Sequence, residues 1–157
     1  KNITMTDNRI ELDDYFLNMA RLASLRSTCK RRQVGCILVD SNNHVAATGY
    51  NGVPKGFTHC LDYPCKGATA ESGTQLDDCW AVHAEMNAML QLQSTDVLTA
   101  YLTVTPCFSC AKVLANSNVN RIVAPVWYPQ SNVLEVLEAA DIDVVIKEMK
   151  EWISLNL

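Results

Sequence analysis

The sequence contains no long hydrophobic run. Apolar stretches such as residues 36–39 are far shorter than the roughly 18 residues that a membrane-spanning helix needs. The segment that follows Lys1 has no apolar core and no small-residue cleavage site of the kind found in secretory signal peptides. We therefore expect a cytoplasmic protein with no membrane partner, although the chain begins at Lys rather than Met.

Basic residues are also in deficit. The chain has 13 Lys and Arg against 17 Asp and Glu, which gives a formal net charge of −4. A phosphate backbone demands a clearly basic surface, so this balance argues against long nucleic acid as a partner. One local exception is a cluster suited to a single small anion, with a solvated helix end as the alternative interpretation. Its members are Arg26, Lys30, Arg31 and Arg32.

Glycine and proline are scarce, with 6 and 5 residues, and no repeat or low-complexity segment occurs. A hydrophobic fraction of 48% over 157 residues is enough for one sizeable core, which predicts a single domain over residues 1–157. The same composition excludes a disordered, collagen-like or coiled-coil chain.

Hydrophobic periodicity divides the chain into alternating helices and strands. A helical face over residues 13–27 has Asp13 or Asp14 near its N-cap, and two apolar runs joined by a polar turn predict a hairpin. A long irregular segment, residues 51–81, follows. This order predicts an α/β layered fold with a mixed sheet and helices on both faces. Predicted strands cover 34–39, 45–50, 98–104, 120–126 and 142–146, and the later helices cover 82–92, 107–116, 132–140 and 149–155.

Cysteine is the one residue type present in excess, with seven copies. In a reducing compartment such thiols are more often metal ligands or core residues than disulfides. Two of them stand in Pro106-Cys107-Phe108-Ser109-Cys110, which follows His83-Ala84-Glu85. Together these segments match H-x-E…P-C-x-x-C, the signature of zinc-dependent deaminases.

The context of the two segments fits a catalytic zinc. His83 is predicted in the first turn of one helix, while Cys107 and Cys110 share a face at the start of another. One imidazole and two thiolates leave a fourth tetrahedral position open for the water that the metal activates. The alternatives are a structural zinc and a chance match. Glu85 favours catalysis, because a carboxylate two residues from a ligand is placed to move protons between water, the substrate ring nitrogen and the leaving ammonia.

Beyond these residues, the sequence resembles the cytidine deaminase superfamily and, within it, the deoxycytidylate (dCMP) deaminases of bacterial and viral type. The resemblance implies a three-layer α/β/α sandwich with a mixed five-stranded sheet and a homo-oligomer, often a hexamer. It also implies zinc-dependent hydrolysis of dCMP to dUMP and ammonia, which supplies dUMP for thymidylate synthesis. The segments on which the resemblance to dCMP deaminases rests are Arg26-Ser27-Thr28-Cys29, Val34-Gly35-Cys36, Gly49-Tyr50-Asn51-Gly52 with Pro54, Gly56, His59 and Cys60, and His83-Ala84-Glu85-Met86-Asn87-Ala88.

Site roles follow from this resemblance residue by residue. His83, Cys107 and Cys110 would hold the catalytic zinc, and Glu85 would carry protons. For the substrate, Asn51 is expected to touch the deoxyribose, the Ala84 N–H the pyrimidine carbonyl, and Arg26 with Tyr128 the 5′-phosphate. Lys30, Arg31 and Arg32 are alternatives to Arg26. Turn formation by Asn51 and ordinary packing of Trp127 and Tyr128 are the competing interpretations.

The resemblance carries two further expectations. One is activation by dCTP and inhibition by dTTP, with Mg²⁺, at the loop Gly49, Tyr50, Asn51 and Gly52. The other is a second, structural zinc, against which stands the interpretation of reduced thiols packed as small hydrophobes, as expected for Cys36. The candidate ligands of that second zinc are Cys29, Cys60, Cys65 and Cys79, with His59 as an alternate.

Two other functions compete with dCMP deamination. The first is deamination of another cytosine substrate, namely dCTP, cytidine or a base in nucleic acid. The second is a non-catalytic, zinc-stabilised interaction module. The acidic charge balance and the Gly-Tyr-Asn-Gly segment weigh against the former, and the presence of Glu85 weighs against the latter.

Overall fold

A computed structural model describes residues 9–149 and 152–153. These residues contain four helices and five strands: an opening helix and hairpin, then three helices and three strands that alternate, in the order that the periodicity predicts. The helices are α1 Leu12–Ser24, α2 Ala84–Leu90, α3 Phe108–Ala115 and α4 Ser131–Ala139, and the strands are β1 Gly35–Asp40, β2 Val45–Tyr50, β3 Val97–Leu102, β4 Arg121–Ala124 and β5 Asp143–Ile146.

The strands form one five-stranded sheet in the order β2-β1-β3-β4-β5. Strand β1 pairs antiparallel with both β2 and β3, whereas β3, β4 and β5 run parallel to one another. The parallel pairs need crossover connections, which α3 and α4 provide. The predicted mixed five-stranded sheet is confirmed.

Alternation along the strands gives the sheet two buried faces. Ile37 of β1 points toward α1, where it packs with Phe16 and Leu17. Its neighbour Leu38 points to the opposite face, against the layer formed by α2, α3 and α4. Because successive strand residues face opposite sides, one apolar strand can serve both layers. The predicted three-layer α/β/α sandwich is therefore confirmed.

The start of α1 differs from the prediction. The helix begins at Leu12 with Glu11 at the N-cap position, and no side chain caps it. Asp13 and Asp14 lie in the first turn instead of at the cap. The Asp13 carboxylate is engaged elsewhere, since it accepts hydrogen bonds from Arg121 at 2.8 and 2.9 Å and from Tyr101 at 2.7 Å.

The C-terminal helices and strands are of the predicted type, but not all of their boundaries match the prediction. Strand β4 ends at Ala124, earlier than predicted, because Pro125 has no N–H to continue the ladder. The helical turn predicted over residues 149–155 lies largely outside the described residues. None of the helices described here is long and apolar enough to span a membrane.

Residues 51–81 are irregular, as predicted, apart from two short 3₁₀ turns at Lys66–Thr69 and Leu76–Asp78. The segment is closed at its base by an isolated antiparallel bridge between Gly52 and Val82. That bridge leads directly into α2, so both ends of the long segment are fixed beside the start of this helix.

A glycine sets how closely α2 approaches the sheet. A Cβ atom at Gly49 of β2 would lie 2.2 Å from the Ala84 carbonyl oxygen and 2.6 Å from the Ala88 nitrogen. No side chain larger than hydrogen fits in that space. Gly49 thus allows the first turn of α2, which carries Glu85, to rest directly on the strand.

Candidate active site

Three side chains of the deaminase signature converge at the starts of two helices. His83 is the N-cap residue of α2, Cys107 is the N-cap residue of α3, and Cys110 lies in the first turn of α3. The sequence analysis predicted His83 within the first turn of this helix, but the structure places it one position before the helix begins. Its Nδ1 atom lies 3.3 Å from each cysteine Sγ.

The geometry of these three side chains fits a zinc ion. Zn–S bonds of about 2.3 Å and Zn–N bonds of about 2.0–2.1 Å in a tetrahedron put ligand atoms roughly 3.5 Å apart. The ligand atoms of His83, Cys107 and Cys110 all lie within 4.8 Å of one another. An N,S,S donor set also suits zinc and leaves one coordination position for water or substrate.

The electrostatics of the trio favour a thiolate at Cys107. Hydrogen bonds from Cys110 and His83 lower the pKa of Cys107 to about 4. The pKa of Cys110 is raised, first by its hydrogen bond with Cys107 and then by burial. A hydrogen bond with Cys107 raises the pKa of His83. The N-terminal end of α3 adds a favourable dipole for thiolate at both cysteines.

Glu85 is buried beside the trio, in the first turn of α2, and is 5% exposed. Burial raises the pKa of its carboxyl group, and the nearby Cys107 raises it further. A carboxyl group with a raised pKa exchanges protons more readily near neutral pH than an ordinary exposed glutamate. Its position and environment both suit a proton carrier.

A cleft opens over these residues. It is bounded by the end of β2, the starts of α2 and α3, the segment after α1 and a loop from the long irregular region. The structure brings Asn51, Ala84 and Tyr128 into this cleft together with His83, Cys107 and Glu85, whereas Cys110 is buried beside it. The other lining residues include Cys29, Arg31, Arg32, Ser72, Gly73, Leu76, Cys79 and Thr105.

Arg26 is not among the residues that line the cleft. Its N–H bonds to the Ala23 carbonyl in the turn that ends α1, and its side chain is exposed. The chain then passes through an irregular segment that carries Arg31 and Arg32 to the cleft. The Arg32 guanidinium lies 5.3 Å from the centre of the Tyr128 ring.

The candidate ligands of a second zinc are only partly gathered. Cys60 and Cys65 have their Sγ atoms 3.7 Å apart, and Cys79 interacts with Cys65 and Cys29 electrostatically. His59 is exposed. Within residues 9–149 and 152–153, His83, Cys107 and Cys110 form the one group of three ligands that converges on a common point.

The Gly-Tyr-Asn-Gly segment was expected to be a loop, but Gly49 and Tyr50 are the last two residues of β2 and only Asn51 and Gly52 follow the strand. Gly49 is enclosed by α2, and a Cβ at Gly52 would lie 2.7 Å from Thr28 Oγ1. Asn51 faces inward and is 7% exposed, whereas Tyr50 is 36% exposed. Close packing therefore accounts for both glycines, and Tyr50 is the member of the loop that faces solvent.

Comparison with known proteins identifies the family. The family model described as "Cytidine and deoxycytidylate deaminase zinc-binding region" matches residues 10–126. The chain belongs to this family. Deoxycytidylate deaminase of Schizosaccharomyces pombe is 37% identical over 84% of the chain, and that of Mycobacterium phage D29 is 38% identical over 75%. The chain spans 42% of the length of the yeast protein and 97% of the phage protein.

A solved structure shows the same fold. The dCMP deaminase of cyanophage S-TIM5, in complex with dCMP and dUMP, matches with a TM-score of 0.73 and 26% identity, over 88% of this chain and 98% of that one. The resemblance to the deaminase family and the fold that it implied are thereby confirmed, as is a zinc-binding region containing the His83, Cys107 and Cys110 trio.

Two supporting residues of this deaminase-family site escaped the sequence analysis. Gln130 Oε1 accepts a hydrogen bond of 2.7 Å from the Phe108 N–H at the start of α3. Thr105 Oγ1 accepts one of 2.6 Å from the Tyr128 N–H. Both contacts join positions more than twenty residues apart, which local pattern cannot reveal. The sequence offered only the place of Thr105, directly before Pro106-Cys107, as a signal.

Proposed function

We propose that this chain is a zinc-dependent hydrolase that deaminates dCMP to dUMP and ammonia. The observation that carries the proposal is the convergence of His83, Cys107 and Cys110 beside the buried Glu85, at the floor of an open cleft. The relatives named deoxycytidylate deaminase, and the related structure that holds dCMP and dUMP, support this choice of substrate.

His83, Cys107 and Cys110 would hold the zinc ion. When bound there, zinc would supply the Lewis acidity that activates water for attack on the cytosine ring. Glu85 accepts one proton from the attacking water and delivers it to the ring nitrogen beside the reacting carbon. It then accepts the second proton from the hydroxyl group added at that carbon and delivers it to the amino group, which leaves as ammonia. The Ala84 N–H, which follows His83 directly, is proposed to donate to the pyrimidine carbonyl and so orient the ring.

We assign the 5′-phosphate to Arg31 and Arg32, with Tyr128 beside them, in preference to Arg26. Arg31 donates through Nη2 to the Glu71 carbonyl, while its Nη1 atom is buried without a hydrogen-bond partner among the described residues. A buried guanidinium N–H is costly unless paired, and a phosphate oxygen is the acceptor that arginine binds most strongly. Both arginines line the cleft that contains the zinc ligands.

Several expectations remain predictions. Those that follow from the family resemblance are the homohexamer, the regulation by dCTP and dTTP with Mg²⁺, and the second zinc at Cys29, Cys60, Cys65 and Cys79. Those that follow from composition and the N-terminal sequence are the single domain over residues 1–157 and the cytoplasmic location. If an effector binds at the Gly-Tyr-Asn-Gly loop, the exposed Tyr50 is the side chain of that loop that we propose it contacts.

A substrate panel tests the proposed function. The zinc-loaded protein is incubated with dCMP, deoxycytidine, cytidine, dCTP or a cytosine-containing oligonucleotide, each with and without dCTP and Mg²⁺ as effector, and the change from cytosine to uracil absorbance is recorded. We expect the highest kcat/KM with dCMP. A higher kcat/KM with dCTP or cytidine would show that dCMP is not the preferred substrate, and the better substrate would replace it in the proposed reaction. Failure with every substrate, with zinc bound, would favour the non-catalytic module.

A further inference from the structure

The arginines of the proposed phosphate site lie on an irregular stretch of chain. Residues 30–33 belong to none of the described helices or strands. The side chain of Asn51 reaches this stretch, because its Nδ2 atom donates a hydrogen bond of 2.7 Å to the Arg32 carbonyl. Asn51 follows the last residue of β2 and is therefore fixed to the sheet.

Asn51 is itself held in one orientation. Its Oδ1 atom accepts a hydrogen bond of 2.8 Å from the Val34 N–H, and its main-chain N–H donates to the Val34 carbonyl at 3.2 Å. Its own carbonyl accepts from the Thr28 N–H at 3.3 Å. The residue thus binds the stretch on both sides of the two arginines. With both ends of its amide engaged, the side chain cannot rotate without breaking a hydrogen bond.

We infer that Asn51 is a positioning residue for phosphate recognition, acting through the main chain of Arg32 on the arginine pair. The inference rests on the proposed function. A long arginine side chain on a loose loop loses conformational freedom when it binds an anion, which weakens binding, and a fixed main chain reduces that loss. The Arg32 guanidinium also rests over the Tyr128 ring, so the main chain and the side chain are both oriented before the nucleotide arrives.

This role is compatible with a contact between Asn51 and the deoxyribose. A carboxamide offers two N–H donors and two acceptor lone pairs, and the described hydrogen bonds occupy one of each. The two roles predict different consequences. A sugar contact affects nucleotide and nucleoside alike, whereas positioning of the arginines affects only the substrate that carries a phosphate.

The first test compares dCMP with deoxycytidine in the variant Asn51→Asp. Aspartate can still accept from the Val34 N–H but has no N–H for the Arg32 carbonyl. We expect kcat/KM for dCMP to fall at least about tenfold more than kcat/KM for deoxycytidine, through KM rather than kcat. Equal losses on both substrates would overturn the inference. Asn51→Ser, which introduces no charge, is the second variant if Asn51→Asp does not fold, with circular dichroism and zinc content as checks.

The second test needs dCMP alone. Asn51→Asp is introduced into the wild type and into a variant in which Arg31 and Arg32 are both replaced by methionine. If Asn51 acts through the arginines, Asn51→Asp lowers kcat/KM for dCMP at least about tenfold in the wild type. In the background that lacks Arg31 and Arg32, it lowers kcat/KM less than about threefold. An equal fold-loss of kcat/KM in the two backgrounds would contradict the inference. Failure of the proposed function is distinguishable, because the wild type would then turn over neither dCMP nor deoxycytidine.

Discussion

Cys110 Sγ lies 3.3 Å from His83 Nδ1, although 27 positions of sequence separate the two residues. The distance is short because α2 and α3 both lie on the same face of the sheet and begin beside each other. Strand β3 provides the path between them, since it enters the sheet next to β1 and ends just before Pro106. A five-stranded sheet thereby brings two separate sequence motifs together as one cluster of candidate zinc ligands.

The trio predicts how zinc content responds to single substitutions. Cys110→Ala removes one of three protein ligands, so we expect it to abolish binding of the catalytic zinc and with it the deamination of dCMP. Cys36→Ala is the matched control, because Cys36 is also fully buried but is not part of the trio. Atomic emission spectrometry of the purified proteins gives the zinc content. Full zinc occupancy in Cys110→Ala would contradict the assignment.

The two arginines predict a change in substrate affinity. Arg31→Met removes the charge and both terminal N–H groups while keeping most of the aliphatic stem. Hydrogen bonds to charged groups are worth about 1.5–3 kcal/mol, so KM for dCMP should rise by at least about tenfold with little change in kcat.

Arg26→Met is the matched control for that experiment. Arg26 is exposed and does not line the cleft, so its replacement should leave steady-state kinetics nearly unchanged. A larger effect from Arg26→Met than from Arg31→Met would restore Arg26 as the phosphate ligand, as the family resemblance first indicated.

The ion pair between Asp13 and Arg121 predicts a pH-dependent part of stability. The hydrogen bond from Arg121 lowers the pKa of Asp13 below its ordinary value, so the folded protein favours the carboxylate. A lowered folded-state pKa stabilises the protein above the unfolded value of about 3.9 and ceases to do so as pH falls through the folded value. Both side chains are partly exposed, at 23% and 31%, so water screens the pair.

Urea unfolding of the wild type and of Asp13→Asn, at intervals from pH 7 to pH 3, measures this contribution. We expect the variant to be less stable by about 1 kcal/mol at pH 7, with the difference shrinking toward pH 3. Asp62→Asn, at an exposed position, is the control and should track the wild type. If the difference in free energy of unfolding between the wild type and Asp13→Asn grew as the pH fell, the predicted direction of the pH dependence would be wrong.

Gly49 predicts a steric effect on the active-site helix. Gly49→Ala would place a methyl group 2.2 Å from the Ala84 carbonyl, which forces α2 away from β2. Overpacking of this kind typically costs about 1–3 kcal/mol, and the displacement of α2 should also lower zinc affinity.

Gly56→Ala is the control for Gly49→Ala, because it introduces backbone strain without a steric clash. Gly56 has a φ of +91°, and among the described residues no atom beyond its two chain neighbours lies within 4 Å of the position that a Cβ would occupy, so alanine there meets only the cost of the left-handed backbone. That cost is roughly 1–2 kcal/mol, without an effect on zinc. Thermal unfolding and zinc titration of both variants test the comparison, and equal zinc affinity in the two would contradict the role of Gly49.

The sequence was sufficient for the parts of the molecule that local patterns encode. The continuous, partly β-branched apolar run of β1 predicted the strand, and the spacing of Cys107 and Cys110 predicted the ligand face, because both are patterns within a few residues. The second face of the sheet could be predicted only in outline, since the contact of Ile37 with Phe16 depends on how α1 folds back.

The anion site shows where local pattern was insufficient. Arg26, Arg31 and Arg32 are equivalent as residues in a basic cluster, and only the turn after α1 decides which of them reach the cleft. The loop with Ser72 and Gly73 had no periodicity from which its place in the cleft with His83 and Cys107 could be predicted. Gln130 was missed for the same reason, because its hydrogen bond to Phe108 spans 22 positions.

Glu85 provides the most direct test of the account. The zinc-loaded wild type and Glu85→Gln are compared at equal zinc content by the absorbance change on addition of dCMP. The account predicts that the wild type converts dCMP to dUMP, and that Glu85→Gln retains zinc but is slower by about 10²–10⁴-fold, the usual contribution of a general acid–base group. Equal rates for the two proteins, or no conversion of dCMP by the zinc-loaded wild type, would contradict it.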